Sequence, residues 1–380
     1  TLFAILCVVV LVASQIADWI DLQVLDPRPE GAKNRSDDGY ISAVGLLSAD
    51  GIRRIFTGLV KNYTNFAPLG TVLVTMLAVG VAEYSGMLTA FIRGLVLKAP
   101  DRLITFTVVF AGILSNTASE LGYVVLIPLG GYIFMSKGRH PIAGMAAAFA
   151  GVSGGYSANL FIGTIDPLLS GITQEAAQLI APDYTVHAAI NWYFMMVSTI
   201  LISVVGTYVT EKIVEPNLGE YDSKYSQNID AKNAMAPLTD HERRGLKYVA
   251  LTIFGLIVIA AITIVPEWGI LRDPNTGSAL KSPFMKGIVT WIFIFFIIPS
   301  IVYGKVVGKI KNDHDVIDGM THAMKEMGLY MVLVFFAAQF IAFFKWSNLG
   351  TILAVGGASF MQSMEITGPG IFVVFIFKAN

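Results

Sequence analysis

The sequence predicts an all-α protein that crosses a lipid bilayer many times and interrupts some of its helices inside it. Three observations carry that reading. Hydrophobic residues make up 54% of the 380 and charged residues 14%, with a mean hydropathy of +0.65. A soluble domain carries about 25% charged residues, so this chain has too few charges to coat a water-facing surface. Apolar stretches long enough to span a bilayer recur along the chain. Two of them are broken by small and polar residues at a depth where lipid offers no hydrogen bonds.

The net charge of −1 supplies no basic field for nucleic acid, which is excluded as a partner. Cys7 is the single cysteine, so no internal disulfide forms. The opening "TLFAILCVVVLVASQIADWI" lacks a basic start and an A-x-A-like end. It reads as a first span whose natural N-terminus is missing, not as a signal peptide.

Spans are expected at roughly 1–20, 66–97, 141–180, 188–210, 249–266, 286–304 and 326–344. Basic residues in the connections set orientation. Arg93, Lys98 and Arg102 mark one cytoplasmic turn, and Lys137 and Arg139 another. The stretch 211–248, with Lys212, Lys224, Lys232, Arg243, Arg244 and Lys247, reads as a cytoplasmic loop, and Lys305, Lys309 and Lys311 fall on the same side. The segment 21–65 also holds basic residues, but its length and its acidic residues suggest a folded external piece. The expected organisation is a first helix with an external segment (1–65), a first transport repeat (66–210), the loop (211–248), connecting scaffold helices (249–319) and the start of a second, truncated inverted repeat (320–380).

Residues 103–135 have basic residues at both ends, so both ends face one side. The first arm, Leu103 to Leu114, has 12 residues. It reaches roughly 18 Å, short of a core of about 30 Å. The economical reading is a re-entrant hairpin whose tip, "SNTASELG", stops near the midplane. Ser115, Asn116 and Thr117 offer oxygens and an amide that can hold a cation or a carboxylate. Thr117 and Glu120 also fit a capping box, which is the structural alternative for both. Either way, a half-helix starting in mid-membrane aims its positive end at whatever lies there.

A second break follows within 141–180. A helical arm of small residues runs to about Ala150, then come Gly151, Gly154, Gly155, Ser157, Asn159, Gly163 and Thr164, then Asp166–Pro167 and a second arm. Asp166 followed by Pro167 is a helix-start signal, so one reading makes Asp166 an N-cap. The other makes it functional, because a carboxylate at that depth costs roughly 2.5–3.5 kcal/mol and Asn or Ser would cap with less penalty. Two successive broken elements with polar backbone at the midplane are the pattern of an inverted-repeat secondary transporter. Weak internal similarity fits it: 71–87 pairs with 331–350, and 106–116 with 371–380, which sets Asn380 opposite Asn116 at the tip of a second hairpin.

The segments "NYTNFAPLGTVLVTMLAVGVAEYSGML", "SNTASELGYVVLIPLGG", "GVSGGYSANLFIGTIDPLLSGITQ", "LRDPNTGSALKSPFMKGIV" and "FFAAQFIAFFKWSNLG" together resemble the aminobenzoyl-glutamate transporter (AbgT) family. The resemblance implies a homodimer in the bacterial inner membrane, with paired re-entrant hairpins in each copy. It implies transport of p-aminobenzoyl-glutamate and, in some members, export of sulfonamide antimetabolites. The site it implies comprises Ser115, Asn116 and Thr117 at the hairpin tip and Asn159 and Asp166 in the broken helix. The family's second hairpin tip and second broken helix have no counterpart in the sequence, which leaves half of the site unaccounted for.

No enzyme signature survives inspection. "GVSGG" at 151–155 satisfies G-x-S-x-G, but an alanine-rich apolar stretch precedes it where a hydrolase needs a strand. An intramembrane serine protease would need a histidine base at the same depth, and the five histidines lie in connections or near span ends. A channel with a re-entrant loop is the other rival. No cofactor is expected beyond a coupling ion. Asp166 suits H⁺, whereas Ser115, Asn116 and Asn159 suit Na⁺. Trp192, Tyr193, Trp268 and Trp346 read as interface anchors, and Lys345 as a side chain that snorkels to the interface.

Overall fold

The computed structural model describes residues 2–26, 35, 38–97, 99–116, 122–155, 158–163, 165–178, 184–221, 237–279 and 282–363. Thr117, Glu120, Ser157, Thr164 and Asn380 lie outside them, as does the 371–380 half of the second repeat pairing. Among the described residues, six helical stretches are long and apolar enough to cross a membrane: Leu2–Trp19, Ala49–Tyr84, Trp192–Leu218, Asp240–Ile264, Ile288–Val307 and Gly328–Trp346. The chain divides into two compact units. One comprises Thr1–Leu69, Gln174–Tyr184 and Gly328–Asn380, and the other Gly70–Thr173 and Thr185–Met327.

In the first unit, helix α1 (Leu2–Trp19) leads into a two-stranded antiparallel ribbon of β1 (Gln23–Leu25) and β2 (Tyr40–Ser42). Helix α2 (Ala49–Thr64) follows, started by Ser48, whose side chain accepts from the Gly51 N–H at 3.1 Å. The sequence reading placed this stretch in a folded external piece without identifying the helix, because Arg53, Arg54 and Lys61 hide its apolar face. Two further helices of this unit come from the end of the chain, Gly328–Trp346 and Leu349–Ser363 (α15 and α16 in the numbering completed below). The core joins Cys7, Val10, Ala17, Ile41, Leu46, Phe343 and Ile352. The Ser347 carbonyl accepts from the Val44 N–H at 3.1 Å, and the Asn348 amide donates to the Ser42 carbonyl at 2.9 Å.

The second unit contains most of the remaining helices. The expected span 66–97 is two helices, α3 (Ala67–Tyr84) and α4 (Met87–Leu97). They part at Ser85–Gly86, where Gly86 takes φ +80°, a turn that other residues rarely adopt. Next come α5 (Ile104–Ser115), a π-helical turn (Gly122–Leu126) with α6 (Ile127–Ser136), and α7 (Pro141–Phe149), which passes into a second π-helical turn (Ala150–Gly154). Then follow α8 (Ile165–Ala177), α9 (Trp192–Val209), a third π-helical turn (Thr210–Val214), α10 (Glu215–Leu218), α11 (Asp240–Ile264), α12 (Pro283–Lys286), α13 (Ile288–Val307) and α14 (Asp313–Glu326).

Two expected boundaries move. Helix α11 begins at Asp240, inside the stretch expected to be loop, because Thr239 and Glu242 form a reciprocal capping box ahead of the apolar run. At 25 residues it is about 37 Å long, so its charged first turns extend past a core of about 30 Å. The chain after α9 also stays helical through Leu218, which puts Glu211 and Glu215 on ordered backbone.

Those two glutamates hold the base of the hairpin. Arg139, just after α6, is bidentate to Glu215, with Nε–Oε1 at 2.8 Å and Nη2–Oε2 at 2.6 Å. Its Nη1 donates to Thr105 Oγ1 at 2.9 Å, and Thr105 in turn donates to Glu211 at 2.7 Å. The guanidinium lies 4.1 Å from the Phe134 ring centroid. The Arg139 and Glu215 side chains are 23% and 24% exposed, so this planar fork is largely withdrawn from water.

Candidate functional site

The first arm of the hairpin has the length expected from the sequence, one residue further along. Helix α5 has 12 residues and ends at Ser115. Ser115 Oγ donates back to the Gly112 carbonyl at 2.7 Å, and Asn116 caps the helix. The return arm, Gly122–Ser136, opens as a π-helix before tightening to α6. A single π turn leaves carbonyls out of the regular ladder, and such turns concentrate at functional positions.

Glycines bring the hairpin onto the second break. A Cβ on Gly112 would come within 2.9 Å of the Gly151 backbone, and one on Gly155 within 2.5 Å of the Ile113 side chain. Gly122 faces Ser115 and Val152 with equally little room. Helix α5 therefore packs backbone to backbone on the Ala150–Gly154 turn. Val108, Val109, Ile113, Leu126, Ala147, Ala148 and Val152 close a fully dry core around that contact.

The join is completed by one side chain. Asn116 Nδ2 donates to the carbonyls of Val152 and Gly155, both at 3.1 Å. These acceptors lie at the break that follows α7, and the Gly155 carbonyl also accepts from the Ala158 N–H at 2.9 Å. Asn116 is 8% exposed and Ser115 7%. The structure thus brings Ser115 and Asn116 of the hairpin tip together with the first part of the broken helix.

After the break the chain runs without regular structure from Ala158 to Gly163 before α8. Asn159 is 2% exposed in that stretch. Asp166 Oδ2 accepts from the Gly163 N–H at 2.6 Å. The N-cap expectation needs correction here. Helix α8 starts at Ile165, so Asp166 lies inside the first turn and reaches back three residues to the Gly163 N–H. Pro167 then occupies the third helical position, where its missing N–H is still no loss. Gly163 is the donor partner of Asp166.

Two features escaped the sequence reading. Trp192, read as an interface anchor, donates from Nε1 to the Leu160 carbonyl at 3.0 Å and so fixes the irregular stretch from the start of α9. The π geometry of the two breaks has no sequence signal beyond the clustered glycines. Ser153 of the G-x-S-x-G match lies within the second π turn, not on a strand-to-helix elbow, which removes the α/β-hydrolase reading.

Chemically, the breaks present hydroxyl, amide and backbone oxygens in a dry surround, with one carboxylate at the start of the following helix. Hard cations take such oxygen ligands, and the N-terminus of α8 favours anionic groups.

Comparison with known proteins agrees with this geometry. The model of the AbgT putative transporter family matches residues 1–380. The p-aminobenzoyl-glutamate transport protein of Escherichia coli (strain K12) is 39% identical over 342 residues, covering 90% of this chain and 66% of that protein. The chain thus spans slightly less than two thirds of that relative. Among solved structures, Neisseria gonorrhoeae MtrF, described as illuminating a class of antimetabolite efflux pumps, is 53% identical with a TM-score of 0.91. The match covers 99% of this chain and 74% of MtrF. The Alcanivorax borkumensis YdaH transporter is 41% identical with a TM-score of 0.87, over 99% of this chain and 76% of YdaH.

Proposed function

The chain belongs to the AbgT putative transporter family, and from that membership we propose that it is a secondary active transporter of the bacterial inner membrane. It is a multi-pass membrane protein. Its substrates are p-aminobenzoyl-glutamate, by analogy with the E. coli relative, and/or antimetabolites, by analogy with the efflux class that MtrF represents, with the sulfonamide type taken from the family resemblance. An H⁺ or Na⁺ gradient drives it, and it works as a homodimer. It performs no covalent chemistry.

The observation that carries the reading is the double hydrogen bond of Asn116 to Val152 and Gly155. It couples the tip of one broken element to the break of the next. Such a tie suits alternating access, in which the elements of one repeat move largely as one body. Asp166 and the N-terminus of α8 handle charge. Ser115, Asn116 and Asn159 supply oxygens for a coupling Na⁺, and Asp166 is the corresponding group for H⁺.

Flux of labelled p-aminobenzoyl-glutamate and of a sulfonamide in proteoliposomes tests this, with H⁺ and Na⁺ gradients imposed separately. Saturable flux that follows one gradient is expected. Non-saturating flux indifferent to both gradients would return the channel reading. Mass measurement in detergent tests the dimer, and a stable, active monomer would remove it.

A further inference from the structure

The first unit contains a cavity of about 660 Å³ that shares no residue with the candidate transport site. Three cations line it, Arg54 and Lys61 from α2 and Lys345 from the end of α15, and its lining holds no Asp or Glu. Among the described residues none of the three forms an ion pair. Like charges converging on one cavity repel one another, and no acid in the lining offsets them.

The walls are built rather than incidental. Arg54 lies 4.6 Å from the Trp346 ring centroid, and Gly58 lets that ring approach α2 closely, since a Cβ there would come within 2.6 Å of it. Asn62 Nδ2 donates to Gln339 Oε1 at 2.9 Å, and Gln339 Nε2 donates to the Leu59 carbonyl at 2.8 Å. Gln339 is 3% exposed, so this pair fixes the spacing of α2 and α15. Phe66, Ala338, Ile341 and Ala342 give the rest of the wall an apolar part, and Asn65 and Asn348 add two amides beside it. The cavity therefore combines a fixed aromatic and aliphatic side with three positive groups.

We propose that this cavity is an oxyanion-binding site for a molecule with an anionic head and an apolar body. Two sources present that chemistry, a soluble aromatic dicarboxylate and the phosphate head of an anionic lipid. Lys61 and Lys345 bind the oxyanion as point charges, and Arg54, held against Trp346, directs its free N–H groups to the same oxygens.

The test is equilibrium binding to the purified protein in neutral detergent. The probes are N-benzoylglutamate and short-chain phosphatidylglycerol, each against an uncharged counterpart, benzamide and a diacylglycerol of the same chain length. Saturable binding of one anionic probe that depends on Lys61 and Lys345 is expected, and that probe identifies the source; binding of N-benzoylglutamate at the transport site does not depend on these two residues. The Lys61→Gln/Lys345→Gln double variant keeps the thermal midpoint, since both side chains are exposed, and binds at least about tenfold more weakly. Raising salt from about 0.1 M to 1 M, which shortens the screening length from about 10 Å to 3 Å, weakens wild-type binding and leaves the double variant little changed. Gly58→Ala displaces Trp346 without altering charge, and weakens binding while keeping the salt dependence. Binding of neither probe above its uncharged counterpart would overturn the site, as would wild-type affinity in the double variant. Both readouts are binding in detergent, so their failure is distinct from a failure of gradient-driven flux.

Discussion

Asn116 and Gly155 are joined by a 3.1 Å hydrogen bond from the side-chain amide of one to the carbonyl of the other, and the same nitrogen also reaches Val152. A residue at the tip of one hairpin thereby donates to two carbonyls at the break in the next helix, of which Gly155 also accepts from the Ala158 N–H. Asn116→Ala leaves those carbonyls buried without that donor, a loss of about 1–3 kcal/mol. A lowered thermal midpoint in detergent is expected, with flux reduced more than the amount of inserted protein. Asn116→Asp turns a donor into an acceptor facing two acceptors, and is expected to be worse on both counts.

Gly112 and Gly151 set how closely α5 approaches the second break. Gly112→Ala places a methyl 2.9 Å from the Gly151 backbone, with no flexible side chain to yield. A destabilisation of about 1–3 kcal/mol is expected from overpacking. Gly154→Ala, where a Cβ meets nothing within 4 Å, is the matched control and is expected to retain the wild-type midpoint to within about 1 kcal/mol.

Arg139 holds the base of the hairpin through Glu215 and Thr105. Arg139→Gln leaves two half-withdrawn carboxylates beside each other without their cation. A loss of about 1.5–3 kcal/mol is expected, read as a lower thermal midpoint. The Arg139→Gln/Glu215→Gln double variant recovers part of it. Equal midpoints for Arg139→Gln and wild type would contradict the assignment.

Helix α14 opens with a capping box in which Asp315 accepts from the Lys311 N–H at 2.7 Å and the Asn312 N–H at 3.2 Å. These backbone donors hold the Asp315 carboxyl below its ordinary pKa. A carboxyl lowered by folding adds stability above its unfolded value, about 3.9, and that contribution fades as pH falls through the folded one. The difference in midpoint between wild type and Asp315→Asn is therefore expected to be full at neutral pH and to shrink below about pH 4. A difference that grows on acidification would contradict the cap.

The fold was legible where spacing and charge both spoke. The basic flanks and 12-residue arm gave the hairpin, and the run of small residues ending in Gly154–Gly155 gave the second break. Asn116 stood out as a polar residue at depth, but its partners are main-chain carbonyls, which carry no sequence identity. The π turns were hidden for the same reason. Helix α2 was masked by its charges, and the cationic cavity could not be read because Lys345 is remote in sequence from Arg54 and Lys61. The hydrogen bond of Trp192 to Leu160 could not be read either, because its partner is again a main-chain carbonyl.

Asp166→Asn tests the central claim most directly. Asn keeps an oxygen that can accept from the Gly163 N–H, so the start of α8 is preserved while the charge is removed. In proteoliposomes containing equal amounts of wild-type and variant protein, labelled p-aminobenzoyl-glutamate flux is measured under an imposed H⁺ gradient and, separately, an imposed Na⁺ gradient. The account predicts that the variant inserts and melts like wild type yet loses the gradient-driven component. Normal, gradient-dependent flux by Asp166→Asn would contradict it and leave Asp166 as a helix-capping residue.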